Sequence, residues 1–404
     1  MAHEGRNILT YLGGEFQTFA ERPLCEVDSL VLSCLSYYRL PEEFAAARTS
    51  EGMALAGLFC AERFEAMTCG LWDPEGLVQL LAAAVASPRL RGTRVCGYVD
   101  EFDEVAEKQF SAVTLRLPGG GAYVSFRGTD NTLVGWREDF NMAFETGVPS
   151  QLAAVDYLCR AAREVDGPLW VGGHSKGGNL AVYAASRCPA DVAARLRAVF
   201  SHDGPGFTAE TLAEPAWRDR ARLVHKTVPR SSLIGMLFEQ QEDYSVVAST
   251  ATGPLQHDPF SWVVEGTDFV REEGLGRGAS FVDEGLNEWI TSMTPVEREG
   301  FVEALFSVLN SGGKDSFGSL KESWQTSLPA MARELAGLGP SERANIARAV
   351  RLLVRAFAPD FEVPRLPELE TLLPGGLLAE RSPGEGEPPD GVSEPPDGAG
   401  IFDA

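Results

Sequence analysis

At 404 residues, 44% of them hydrophobic and 23% charged, the chain can bury a large core, either as one big domain or as one domain with additions. Its 58 acidic against 35 basic residues leave a formal charge of −23. That speaks against nucleic acid as a partner, which needs a basic surface, and against adsorption to anionic lipid. Seven scattered cysteines with no C-x-x-C predict buried thiols in a reducing compartment, not a disulfide framework or a zinc site. No apolar run reaches the length of a membrane span and no signal-like start is evident, so the expected location is cytoplasmic.

Along the chain, residues 1–90 are expected to be mainly helical. Val27-Asp28-Ser29-Leu30-Val31-Leu32 opens one apolar helix and Leu77–Val85 forms another. The period then changes: Arg94–Val99, Phe110–Leu117 and Ala122–Phe126 predict three strands, the last two joined by a hairpin turn at Gly119-Gly120-Gly121. A helix over 150–165 leads through the breaker Asp166-Gly167-Pro168 to an apolar strand at Leu169–Val171, with further strands near Ala198–Ser201 and Arg222–His225. Strands alternating with helices predict an α/β protein with a mostly parallel central sheet flanked by helices. Beyond about 270 helices dominate. Thr294-Pro295-Val296-Glu297 has the capping-box pattern, followed by the stripe Phe301, Leu305, Val308 and Leu309 and later by Ile346, Val350, Leu353, Val354 and Phe357. The last residues repeat Glu-Pro-Pro-Asp-Gly at 387–391 and 394–398 with almost no apolar side chains, which predicts a disordered acidic tail.

The chemistry is concentrated at Gly173-His174-Ser175-Lys176-Gly177, a G-x-S-x-G between the apolar strand and a helix led by Leu180, Ala181, Tyr183 and Ala184. A serine on so sharp a strand-to-helix turn is lifted clear of the sheet, the nucleophile elbow of an α/β-hydrolase, and the glycines beside it keep side chains from colliding with strand and helix. The next N–H, on Lys176, lies at a helix N-terminus, where an oxyanion is stabilised. A serine nucleophile needs a base and an orienting acid. Of five histidines, His3 is terminal, His174 is fixed in the elbow, and His202 and His225 lie in or at the end of strands. His257, in the loop Gly253–Pro259, is the candidate base. Asp203, at the end of the strand after the elbow strand, is the candidate acid, with Glu239 and Asp243 as alternatives. The second oxyanion donor is expected from Thr129, in the loop that follows Tyr123–Phe126. Gly119-Gly120-Gly121 lacks the lysine and hydroxyl of a phosphate loop, no metal constellation is evident, and no cofactor is needed.

Phe126-Arg127-Gly128-Thr129, then Trp136-Arg137-Glu138-Asp139, then the Gly-His-Ser-x-Gly-Gly elbow resemble the class 3 (fungal-type) lipases of the α/β-hydrolase fold. The wider pattern, with Val27-Asp28-Ser29-Leu30, Gly-His-Ser-Lys-Gly-Gly-Asn-Leu-Ala, Asp203-Gly-Pro-Gly-Phe207 and Gln256-His257-Asp258, is closer to an uncharacterised bacterial family of that superfamily. The similarity covers roughly residues 5–310. The resemblance implies Ser175 as nucleophile, His257 as base, and Thr129 with Lys176 as oxyanion donors. Two features depart from the lipases. Val224–Pro229 carries no acid where an Asn-x-x-Asp-x-Val-Pro segment is usual, and Lys176 replaces the leucine common after the serine, either adding positive charge near the oxyanion or pointing to solvent.

The division that follows is a helical N-terminal segment (1–90) packed on the hydrolase body, a catalytic core (91–270), a helical C-terminal region (271–370) and the tail (371–404). The expected activity is cleavage of a carboxylic ester, lipase, lysophospholipase or carboxylesterase in type, on a small acyl ester or lipid. A thioesterase or amidase would use the same triad, and a non-catalytic protein binding a lipid or a protein partner is the alternative of another class. Leu233, Ile234, Met236, Leu237 and Phe238 either line an acyl pocket or belong to the core.

Overall fold

The computed structural model describes residues 5–129, 147–232, 234–238 and 243–276, together with isolated positions between 135 and 142 and between 293 and 345. All of these belong to one compact unit, Met1–Phe361. The second apolar stripe, most of the region after 276 and the acidic tail lie outside the described residues.

Helix α1 (Ile8–Gly14) is started by Asn7, whose side chain accepts from the N–H groups of Leu9 and Thr10. In α2 (Glu26–Cys34) every residue from Val27 to Cys34 is buried, so its polar side chains must find partners inside. Asp28 receives the Arg89 guanidinium at 2.6 and 2.7 Å, the Tyr11 hydroxyl at 2.7 Å and the Cys25 N–H at 2.9 Å. Arg89 also donates to the carbonyls of Gln17, Arg22 and Pro23, pinning the chain before α2. Ser29 bonds the Tyr123 hydroxyl and His202 Nε2 on the sheet. Helix α3 (Pro74–Ala86) is capped by Asp73, with proline at its first position.

Eight strands lie side by side in chain order. The first four, β1 (Met53–Ala54), β2 (Arg94–Asp103), β3 (Lys108–Arg116) and β4 (Ala122–Phe126), pair antiparallel. From β4 onward, β5 (Leu169–His174), β6 (Leu196–His202), β7 (Val224–Pro229) and β8 (Tyr244–Val247) pair parallel. The three strands expected over 94–126 are present. β2 outruns its apolar stretch because the polar end, Asp100–Asp103, is paired residue by residue with Lys108–Ser111. The Gly119–Gly121 turn closes β3 onto β4.

Helices α4 (Pro149–Glu164), α5 (Lys176–Arg187) and α6 (Pro215–Ala221) cover one face of the sheet, and α1 to α3 the other. The two-residue alternation of a strand sorts the core accordingly. Ala122, Val124 and Phe126 of β4 face α4 and α5, while Tyr123 faces α2; Val199 of β6 takes the first side, Ala198 and Phe200 the second. The capping box at Thr294 is formed, with Glu297 accepting from the Thr294 N–H and hydroxyl and the Glu297 N–H reaching back to Thr294. No helix among the described residues is long and apolar enough to cross a membrane.

Candidate active site

Parallel register builds the site. Phe126 stands beside Gly173, and His174 beside His202. The chain therefore leaves the carboxyl ends of β4, β5 and β6 at one level, through Arg127, Ser175 and Asp203. Carboxyl ends of such strands are where α/β sheets hold ligands.

Ser175 joins β5 to α5 at φ 59° and ψ −135°, a conformation that costs a non-glycine residue on the order of 1–3 kcal/mol. Strand and helix meet so closely here that a Cβ on Gly173 would stand 2.4 Å from the Gly177 carbonyl oxygen, and one on Gly177 would stand 2.1 Å from that of Phe126. Only glycine fits at either position, which is the steric reason for the motif.

The loop after β4 is pressed against the elbow. A Cβ on Gly128 would lie 2.7 Å from the His174 carbonyl oxygen and 3.0 Å from the Ser175 Cβ. Thr129 follows, and its hydroxyl donates to Asp139 Oδ2. Arg127, buried, makes a two-pronged ion pair with Asp100 at 2.8 and 3.2 Å. Among the described residues, neither the Thr129 N–H nor the Lys176 N–H has a hydrogen-bond acceptor. The Lys176 N–H is the first of its helix, which has no acceptor within the helix. Asp130, Trp136, Arg137 and Phe140 lie outside the described residues.

The side chain of Lys176 does not point to solvent, one of the two courses expected of it. Its Nζ is fully buried, 3.0 Å from Glu138 Oε2, 2.8 Å from the Gln109 carbonyl and 3.1 Å from Gln109 Oε1. A lysine has no reason to turn inward unless a carboxylate awaits it, and Glu138 lies 38 positions upstream.

Asp203, completely buried with φ 50°, accepts from His257 Nδ1 at 2.6 Å through Oδ2 and from the Ser232 hydroxyl through Oδ1. Of the alternative acids, Asp243 is exposed just before β8, and Glu239 lies outside the described residues. His257 ends the 3-10 turn Gly253–His257, held from both sides through backbone carbonyls. The Trp262 indole donates to the Gln256 carbonyl at 2.8 Å, and His174 Nε2 donates to the His257 carbonyl at 2.8 Å. That bond fixes the His174 tautomer, leaving Nδ1 to accept from the Tyr37 hydroxyl at 3.0 Å. Burial, and then the neighbouring His257, hold His174 well below the usual histidine range, so it stays neutral. The His174 and His257 rings stand 4.6 Å apart. No hydrogen bond joins the Ser175 hydroxyl to His257 among the described residues. Such bonds often close only with substrate present.

The other histidines are structural or superficial. His202 is buried against Ser29, with burial pushing its pKa down to about 3. His225 is half exposed beside Glu26, and His3 is outside the described residues. Met236 and Phe238 are buried in apolar clusters, and Leu233 is outside the described residues. Tyr37, Ser232 and Trp262 were not singled out in the sequence, and Glu138 stood there only within Trp136–Asp139. Glu138 alone had a signal, as the acidic neighbour of Asp139 in a segment facing the elbow. Among the described residues no three His, Cys, Asp or Glu side chains are grouped to hold a metal ion.

The Mbeg1-like family profile matches residues 84–307, more than half of the chain. No curated protein matches it. Among solved structures, M37 lipase is 14% identical, with 53% of this chain and 70% of that one aligned at a TM-score of 0.36. A Rhizomucor miehei lipase propeptide complex is 14% identical over 39% of this chain and 57% of its own, at 0.27. Values this low transfer no activity.

Proposed function

The chain belongs to the Mbeg1-like family, and on that premise we propose that it is a serine hydrolase that cleaves a carboxylic ester through an acyl-enzyme on Ser175. The observation that carries the reading is the buried Asp203 carboxylate 2.6 Å from His257 Nδ1, one strand over from the strained Ser175 turn. A carboxylate at Nδ1 keeps the proton there and leaves Nε2 free to act as a base.

In the proposed reaction Ser175 Oγ attacks the acyl carbon while His257 Nε2 takes its proton. The carbonyl oxygen becomes an oxyanion and receives hydrogen bonds from the N–H groups of Thr129 and Lys176, which have no acceptor among the described residues. Collapse breaks the ester C–O bond, and the imidazolium returns the proton to the departing alkoxide. Water, deprotonated by the same imidazole, then attacks the acyl carbon; the acyl–Oγ bond breaks, the imidazolium returns its proton to Ser175 Oγ, and the acid is released. Asp203 stabilises the imidazolium in both halves without itself being protonated. A lipase, lysophospholipase or carboxylesterase substrate fits this chemistry. The same machinery would serve a thioester or an amide. Of the seven cysteines, expected to be buried, Cys34, Cys96 and Cys188 are, Cys25, Cys60 and Cys159 are partly so, and Cys69 is exposed.

The test is labelling of the purified protein with a fluorophosphonate, beside Ser175→Ala and His257→Ala. Labelling of the parent and its loss in both variants is the expected result. An intact, folded parent that does not label removes the reading and leaves a binding protein in its place.

A further inference from the structure

The side chain of Lys176 enters no step of the reaction proposed above, yet it is a costly group to bury there: an ammonium with no exposed surface, one residue beyond the nucleophile. Its partner Glu138 is equally buried, and is fixed in turn by the N–H groups of Gln109 at 3.0 Å and Ser150 at 2.9 Å. The next residue, Asp139, has Oδ1 3.8 Å from the Lys176 ammonium and Oδ2 on the Thr129 hydroxyl. A continuous line of contacts thus runs from the first residue of α5 to the loop that carries the Thr129 N–H.

A buried ion pair of this kind adds little net stability, because desolvating two charges costs about as much as their attraction gains. What it fixes is position. Residue 176 contributes its backbone N–H to one half of the oxyanion site and, with its side chain, grips the segment that orients the other half. We infer that Lys176 is a positioning residue: through Glu138 and Asp139 it sets the Thr129 N–H relative to its own, so that both donors converge on one oxygen. This rests on the serine hydrolase reading of the site. An apolar residue at 176 would keep the backbone donor and remove only the grip.

The double variant Lys176→Met/Glu138→Gln tests this, because it removes both charges and leaves neither buried alone. With p-nitrophenyl butyrate as the probe ester, kcat is expected to fall about 10- to 100-fold while KM stays within about twofold, at a Tm near the parent's. Affinity for a trifluoromethyl ketone, which forms an oxyanion adduct with the serine, should fall in the same proportion. Combination with Asp139→Asn should add little beyond the larger of the two losses, as for residues acting through one another. Parent-like kcat and ketone affinity in the folded double variant overturn the inference. Should that variant not fold, Glu138→Asp draws the carboxylate back from Lys176 with the charge kept. A kcat-specific loss is again expected, and parent-like turnover again overturns the inference. Failure of the parent to label with fluorophosphonate removes the hydrolase reading itself, whereas a labelled enzyme indifferent to the pair removes only this inference.

Discussion

The two flanks of the Ser175 turn are held by different forces. On one flank His257 is placed by neutral groups: Tyr37 to His174, His174 to the His257 carbonyl, Trp262 to the Gln256 carbonyl. On the other, the Thr129 loop is placed by charges in the interior: Lys176 with Glu138, Asp139 on Thr129, Arg127 with Asp100. The flank that would cycle a proton in the proposed reaction is held by these neutral donors, with the Asp203 carboxylate on Nδ1 and Asp258 next in the chain. The flank that must hold still while negative charge appears is tied by ion pairs. A moving proton is best served by neighbours that do not compete for it, and a rigid donor by contacts that no thermal fluctuation easily breaks.

The contrast can be broken at several points. Asp203→Asn keeps the shape and removes the charge at Nδ1. Turnover should fall on the order of 10³- to 10⁴-fold with the Tm little changed, and a loss under tenfold would exclude Asp203 as the acid. On the charged flank, Thr129→Val keeps the N–H and releases Asp139. Here kcat should drop up to about 100-fold with KM unmoved, and a shift in KM alone would place Thr129 in substrate binding instead.

The neutral flank should answer more softly. Tyr37→Phe leaves the buried His174 Nδ1 without its donor, which should cost about 1–3 kcal/mol of stability in a urea titration. Activity should fall only several-fold, since His174 still holds the His257 carbonyl.

The acid response of His202 leaves activity aside and acts on stability alone. Its folded pKa lies at about 3, below the unfolded value of about 6.5. The unfolded state therefore binds the proton first, so stability is full above about pH 6.5 and is lost as pH falls toward 3, by at most about 1.4 kcal/mol per pH unit. His174 acts in the same direction. Between pH 6.5 and 5, before most carboxylates titrate, a folded His202→Gln variant should lose less stability than the parent. An equal slope would show that His202 is not the group being protonated.

What could be read from the sequence was what sterics and scarcity dictate. Gly173 and Gly177 announce the turn because nothing larger fits, and with five histidines in the chain His257 stands out by elimination. The direction of a long side chain was not legible. Lys176 turns inward for a carboxylate that arrives from another element, and local spacing carries no trace of that. Val27-Asp28-Ser29-Leu30 was recognisable as a mark, but its reason is three-dimensional: Asp28 neutralises Arg89 from 61 positions away, and Ser29 reaches His202 from 173. The length of β2 was missed for the same cause, since its polar end is a strand only by virtue of the partner beside it.

The strand order also bears on how the molecule is made. In this sheet each strand after β1 lies beside the one synthesised just before it, so a chain emerging from the ribosome can extend the sheet at its open edge. No strand has to be threaded between two that are already joined. Thr129, Ser175 and Asp203 are laid down in that sequence as β4, β5 and β6 dock. His257 arrives only after β8 has closed the series, so the proposed base is the last piece to reach its seat.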